Sequence, residues 1–374
     1  MIVDHPSKIN RNRPNSTIRC FYRSLRNGLV GLGLIAAMTG VLCQSSLAQE
    51  SDKSDKATKV QQKPARKANR FKSKANRFVN LGSIEDPQIT ESSGVTAARP
   101  AADGTASKAI WTFNDSGGNA KFFRVSFEGK TEAELNLKGA RNRDWETMCG
   151  FTFGDEWYLA VGDVGDNTFR RKSYQIYVVA EPAVTPKLSA EGKLKAQKLK
   201  TNASTIEFTY KDGSHNCEAM SYNTDDDTFW FVEKVYVDDK RKKAPGIYVL
   251  AKAKFSEDKK GKKPKNVAKR IADFPVRNVT GMAFSPDNQR LVIRSYFGAW
   301  LFDKADGKTW QETVTGTKPK TIPLPLQTQG EAICFGPNSQ TLLVTSEFKN
   351  AIIWKVKLDQ NAPEREQGKD ETGK

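Results

Sequence analysis

GEAICF, residues 330–335, opens an apolar run just after a carboxylate, and TLLVTSE, residues 341–347, closes the next apolar run on another. Between them GPNSQ, 336–340, has the Gly, Pro, Asn and Ser of a chain reversal. The pair reads as two short antiparallel strands, and the same arrangement recurs along the chain. SGVTA from Ser93, ETMCG from Glu146, EAMSY from Glu218, TGMAF from Thr280 and EAICF from Glu331 share the order polar, small, aliphatic, small. Their spacings are 53, 72, 62 and 51 residues. A second apolar run follows each: AIWTFND, WYLAVGD, TFWFVEK, RLVIRSY and TLLVTSE. Third runs follow as KFFRVSF, YQIYVV, GIYVLA, AWLFD and AIIWKVKL, with weaker fourth runs AELNL, TIEFTY and AKRIADF.

Four short strands per unit without helical periodicity point to an all-β protein of the β-propeller type. Five four-stranded blades are expected, with a degenerate sixth as the alternative count. The fifth unit ends after its third strand. RFVNLGSI, 77–84, precedes the first unit and is expected to close the last blade, which removes the open sheet edges. A β-sandwich is the rival fold, but it gives no reason for a recurring unit.

The ends of the chain have a different character. Residues 1–27 are basic, 28–43 read GLVGLGLIAAMTGVLC, and Ser46 and Ala48 stand at −3 and −1 of a cleavage position. That order is expected of a secretory signal peptide over 1–48, with a retained membrane anchor as the alternative. The apolar run is short for a spanning helix. Residues 49–77 and 359–374 hold too little apolar surface to fold and are expected to be a basic linker and a charged tail. The propeller domain is then 78–358, exported to the periplasm or the medium and assumed monomeric. The net charge of +17 is misleading about partners. Residues 1–77 hold 16 Lys and Arg against 4 Asp and Glu, and segments 187–200 and 240–270 hold 18 against 3. What remains is acidic, and the lysines lack interleaved aromatics, which argues against a nucleic-acid partner. Cys149, Cys217 and Cys334 follow the leader, with no Cys-x-x-Cys spacing, so they read as buried free thiols.

In a propeller the first strand of each blade lines the central channel. The loop entering it and the loop leaving the second strand lie on one face. This brings Asp115, Glu146, Asp163, Glu218, Glu233, Glu331 and Glu347 to one mouth, with Asp166 and Asn167 of VGDVGDN close by. Arg143, Lys234, Arg294 and His215 are the cations aimed the same way, and Tyr296 adds a phenol. Crowded carboxylates raise one another's pKa, and burying them unpaired is costly, so a bound cation is the direct remedy. Asp115, Glu146, Asp163, Asp166, Asn167, Glu218, Glu331 and Glu347 are the expected metal residues. An oxygen shell favours calcium over zinc. The competing expectations are a salt-bridged ring and, for GDVGDNTFRR, a capped turn. Arg143, Lys234, Arg294 and Tyr296 are candidates to hold an anionic ligand. His215, Lys234, Arg294 and Tyr296 are the catalytic candidates. No G-x-S-x-G elbow or Gly-rich phosphate loop is present. Trp111, Trp145 and Trp300 are either carbohydrate platforms or packing between blades.

The stretches ESSG, IWTFNDSGG, RDWETM, VGDVGDN, HNCEAM, VTGMAFSPD, VIRSYFGAW, QGEAICFGPN and LLVTSE together resemble a group of secreted bacterial β-propeller proteins. The resemblance covers nearly all of 85–357. In outline the group is similar to phytase-like propellers and to calcium-dependent lactonase or phosphotriesterase propellers. It implies a central calcium and a phosphoester or lactone substrate. Asn114 and Asn167 alone represent the Asn-rich calcium shell of the lactonase type. The combined expectation is a propeller whose acidic, calcium-binding mouth binds or hydrolyses an anionic small molecule. The alternative is a non-enzymatic, envelope-associated scaffold with a salt-bridged channel, held on anionic envelope polymer.

Overall fold

The computed structural model describes residues 77–101, 103–192, 194–239, 244–251 and 266–358. The expected leader, the basic linker up to residue 76, the tail from 359 and all the lysines of 240–265 lie outside the described residues. The chain enters through β1 (Phe78–Ser83). The first unit is β2 (Ser92–Ala97), β3 (Ala109–Asn114), β4 (Lys121–Ser126) and β5 (Thr131–Lys138). The second opens with β6 (Trp145–Phe153), β7 (Glu156–Asp163) and β8 (Tyr174–Ala180). It then detours through β9 (Lys187–Leu188), β10 (Leu194–Lys195) and β11 (Gln197–Asn202) before β12 (Ser204–Tyr210). The third is β13 (Cys217–Asn223), β14 (Thr228–Glu233), β15 (Gly246–Leu250) and β16 (Asn266–Asp273). The fourth is β17 (Val279–Phe284), β18 (Arg290–Ser295), β19 (Gly298–Asp303), α1 (Trp310–Gly316) and β20 (Lys320–Ile322). The last is β21 (Gly330–Phe335), β22 (Thr341–Ser346) and β23 (Ile352–Lys357).

Within each unit the strands pair antiparallel from the innermost outward. The innermost strands β2, β6, β13, β17 and β21 adjoin one another in that order, and β21 returns to β2. This closed ring is the β-propeller architecture. β1 pairs with β23, Phe78 opposite Val356, so the N-terminal strand completes the last sheet as its sequence suggests. Two outer edges add to the plain blade pattern. The lysine-rich 187–200 segment includes β11, which runs parallel to β5 and widens the first sheet. β12 also pairs in parallel with β16, which joins the outer edges of units two and three. The helix α1 was not expected. Its signal is the capping box Thr309–Glu312, where each side chain accepts the other's backbone N–H. Among the described residues no helix is long and apolar enough to cross a membrane.

The core lies between neighbouring sheets. Trp145 is fully buried among Phe113, Phe122 and Tyr177, with ring centroids 5.7–6.0 Å apart. Fully burying such a side chain stabilises by roughly 1.5–3 kcal/mol. Trp111 is also fully buried and its indole N–H donates to Glu181, 2.8 Å. Trp300 packs edge-on against Phe274. The three are packing residues, which removes the carbohydrate-platform alternative. Two hairpin turns repeat their geometry: Asn288 and Ser339 hold φ of 51° and 55° at matching positions, and Asp227 holds φ of 55° one place later in its turn. Asp and Asn tolerate this left-handed region better than most residues.

A hydrogen bond repeats at the seams between inner strands, and it explains why two cysteines share one repeat column. Thr96 Oγ1 accepts the N–H of Gly150, 2.9 Å, in the next unit. Cys149 accepts from Tyr222, Ser221 accepts from Phe284 at 3.0 Å, and Cys334 accepts from Ala97 to close the ring. The fourth unit carries Ala283 in this column and has no acceptor. That seam is braced by Thr280 and Arg294 instead, both donating to backbone carbonyls of β21. All three cysteines are free and buried, as expected. Burial pushes the thiols of Cys149 and Cys334 up to about 12, so they stay protonated acceptors.

Candidate functional site

In every unit the register between first and second strand slips at the first repeat column. Trp145 pairs with Asp163 and Thr147 with Gly162, which leaves Glu146 as the extra residue. Glu218 and Thr280 are skipped in the same way. The slips at Ser93–Gly94 and Glu331–Ala332 are equivalent. Such bulges re-aim side chains. Here they turn the column residues toward the end of the second strand, where Asp115, Lys234, Tyr296 and Glu347 arrive.

One side of the mouth is internally paired. Lys234 is 5% exposed and forms an ion pair with Glu218. Its ammonium also donates to the Tyr296 hydroxyl, 2.9 Å, and stands 3.7 Å from Glu331. Tyr296 donates to Glu331 Oε1, 2.7 Å, and Ser93 donates to Glu331 Oε2, 3.1 Å. Burial alone would lower the Lys234 pKa, but Glu218 and its neighbours carry it well above the usual lysine range. Burial lifts Glu218 to about 7 against the pull of Lys234. Glu347 leans on Glu331 and forms no ion pair among the described residues, and burial followed by Glu331 lifts it to about 10.

The other side is not paired. Asp115, Asp144 and Glu146 each bring one carboxylate oxygen within 4.8 Å of the others. Among the described residues no Lys, Arg or His forms an ion pair with any of them. Asp115 Oδ1 is buried with no hydrogen-bond donor. Burial, reinforced by the neighbouring carboxylates, raises Asp115 and Glu146 well above the usual range. Asp144 rises to about 6, chiefly by burial. Gly165 closes over the cluster. A Cβ there would stand 2.5 Å from Asp144 Oδ2 and from Glu146 Oε1, so only glycine lets the loop approach this closely.

Several expected site residues are placed otherwise. Asp163 is held by Arg171 Nη1 at 2.6 Å. Asp166 accepts the N–H groups of Arg170 (3.0 Å) and Arg171 (2.8 Å) and the hydroxyl of Tyr174 (3.1 Å). Asp166 therefore caps its own loop, as the capped-turn alternative has it. Asn167 Oδ1 accepts from Tyr236 at 2.9 Å and from Asn216 at 3.3 Å, on the rim. His215 is fixed between Glu233, 2.8 Å, and Asp212, 2.9 Å, so both ring nitrogens are engaged and it does not act as a free base. Arg294 is 2% exposed and does not face a ligand. It donates to Ala332 O (2.7 Å), Thr345 O (3.3 Å) and Gln327 Oε1 (2.9 Å), in space left by Gly330, where a Cβ would strike the guanidinium. Burial lowers its pKa to about 9. Arg143 is exposed at the edge. Asp144 and Arg171 were missed. The signal for Asp144 is RDWE, where it stands two before Glu146; nothing in the repeat marks Arg171.

Among the described residues, Asp115, Asp144, Glu146, Glu218, Glu331 and Glu347 thus gather round the ammonium of Lys234, and Glu91 adds to the negative field on Asp115. Fold and site together define a β-propeller with an acidic channel mouth. The chain matches no protein-family model and no curated protein. Among solved structures it is similar to a protein described as TolB from Agrobacterium tumefaciens, at 12% identity over 68% of this chain and 70% of that one, TM-score 0.35. The PQQ-bound aldose sugar dehydrogenase of Streptomyces coelicolor aligns at 9% identity over 75% and 97%, TM-score 0.37. A protein assigned as a 6-phosphogluconolactonase from Bacteroides uniformis aligns at 12% over 72% and 68%, TM-score 0.33. At these values the likeness carries no argument about the site, which is read from its own residues.

Proposed function

We propose that the mouth is a divalent-cation site, calcium first, at which an exported propeller binds or hydrolyses an anionic small molecule of the phosphoester or lactone class. The unpaired triad of Asp115, Asp144 and Glu146 is the observation that carries this reading. Its donors fit the ion. They are hard oxygens without His or Cys, one buried oxygen lacks any hydrogen-bond donor, and Gly165 leaves a cradle that a Cβ would fill. When bound, the cation supplies positive charge and Lewis acidity to an anionic ligand. The chain's own residues do the orienting. Tyr296 is 38% exposed and offers its phenol from the opposite side, fixed by Lys234 and Glu331. Glu218 and Lys234 hold each other and keep that side rigid.

The scaffold reading draws on the pairs Glu218–Lys234 and Asp163–Arg171. It needs the remaining acids paired too, and the triad is not. The deciding experiment is thermal unfolding of the exported protein in calcium and in excess chelator, on wild type and on Asp115→Asn with Glu146→Gln. Binding to the native state alone raises stability by mass action. A calcium-dependent rise that the double variant lacks supports the reading. No calcium effect on wild type overturns it and favours the scaffold.

A further inference from the structure

Beside the mouth lies a cavity of about 330 Å³, between the segment ahead of β21 and the loop after β22. That is the small end of the range for ligand pockets, roughly 300–1,000 Å³. Its apolar wall is Leu326, Phe348, Ile352 and Trp354. Leu326 is wholly exposed and Phe348 is 43% exposed, so neither is placed by core packing. Phe348 holds φ of 75° and Asn350 φ of 60°. A bulky residue in the left-handed region is strained, and strain of this kind concentrates where a loop presents a side chain.

Two polar groups give the cavity a direction. Gln327 Oε1 accepts from Arg294, and a guanidinium only donates, so the amide orientation is settled and Nε2 is the free end. Gln327 Nε2 is buried and has no acceptor. An unsatisfied buried donor is costly, and a ligand carbonyl would relieve that cost. Glu347 lines the same cavity while its carboxyl leans on Glu331 in the mouth, so one residue borders both spaces.

We infer that this cavity takes the apolar arm of the mouth's ligand: a short acyl or aryl group carrying a carbonyl, with the carbonyl on Gln327 Nε2 and the apolar part against Phe348 and Leu326. The inference rests on the proposed function for the anionic head, but the arm site can be examined by itself. The probe is acetanilide, which is neutral and carries both an aryl ring and a carbonyl. The readout is the indole N–H signal of Trp354, assigned with Trp354→Phe, in calcium and in chelator.

A saturating millimolar shift is expected in both conditions. Phe348→Ser and Leu326→Ser are expected to weaken it about tenfold, the loss of one apolar contact surface. Both side chains are exposed, so the variants should fold, and each should keep the wild-type calcium response. Propylbenzene, which lacks the carbonyl, should bind more weakly than acetanilide in wild type and equally in Gln327→Glu. No shift with acetanilide, or a shift unchanged in both serine variants, overturns the arm site even if calcium binds. A shift in a protein that ignores calcium keeps the arm site and removes the reading of the mouth.

Discussion

On one side of the channel Glu218 and Glu331 share the ammonium of Lys234 and the phenol of Tyr296. On the other, Asp115, Asp144 and Glu146 crowd within 4.8 Å of one another, and among the described residues none of the three forms an ion pair. Glu146 is as buried as Glu218 and Glu331, while Asp115 and Asp144 are half-buried, so the unpaired side keeps more access to solvent. The chain is able to furnish a counter-ion in this neighbourhood, since Arg171 reaches Asp163 at 2.6 Å. Acids that the fold pairs by itself are structural. Acids that it gathers and leaves without a partner depend on something from outside, either protons or a metal ion.

The comparison is tested most severely at Lys234. Lys234→Met leaves Glu218 and Glu331 buried without their ammonium, and urea unfolding at pH 7.5 should show a loss of about 3–5 kcal/mol. A loss below about 1 kcal/mol would mean that the paired side is not held by its charge. Calcium should act on the unpaired side instead. At a hundredfold excess over its Kd it should stabilise wild type by about 2.7 kcal/mol, or roughly 5–10 °C in Tm. Lys234→Met should keep that gain, and Gly165→Ala, whose methyl falls between Asp144 and Glu146, should lose it.

A pH series sharpens the contrast further. Burial raises Asp144 to about 6, Glu218 to about 7 and Glu347 to about 10. A raised native pKa means the folded state binds more protons than the unfolded one, so its contribution is present at low pH and fades as pH climbs through the native pKa. In chelator, Tm should therefore fall between pH 5 and 9. In calcium the fall should flatten, because the ion stabilises the ionised triad, and the calcium gain should be small at pH 5. A chelated protein with constant Tm across this range would contradict the raised values. The smallest effect is expected from Asp144→Asn. It relieves repulsion and should raise the stability of the chelated protein by about 1 kcal/mol, read from the urea midpoint.

Much of the fold was legible because it repeats. The columns headed by Glu146, Glu218 and Glu331 mark the inner strands, and RFVNLGSI reads as the missing edge that β1 supplies. Features outside the repeat were not legible. Asp144 belongs to a second polar column, Glu91, Asp144, Asn216, Asn278 and Gln329, which does not mark one member as a ligand, and Arg171 sits in an unrepeated loop. α1 and β20 span seven and three residues, too short for periodicity to register. Arg294 follows strand alternation, but whether it faces a ligand or the next sheet depends on Gly330, thirty-six residues away, leaving it room. Proximity of acids could be read from the columns. Which acids are paired could not, because the partners Lys234 and Arg171 come from different elements at different spacings.

The slipped register in each inner strand has a consequence for how such a molecule can change. A residue that the ladder skips is released from cross-strand matching, and the five occupants are Ser93, Glu146, Glu218, Thr280 and Glu331. Substitutions there alter what the channel presents while leaving the ladder between first and second strands as it was, although at Thr280 they would also remove a brace between neighbouring sheets. Duplication of one unit would multiply the frame and the free position together, and each copy could then drift in chemistry without drifting in shape.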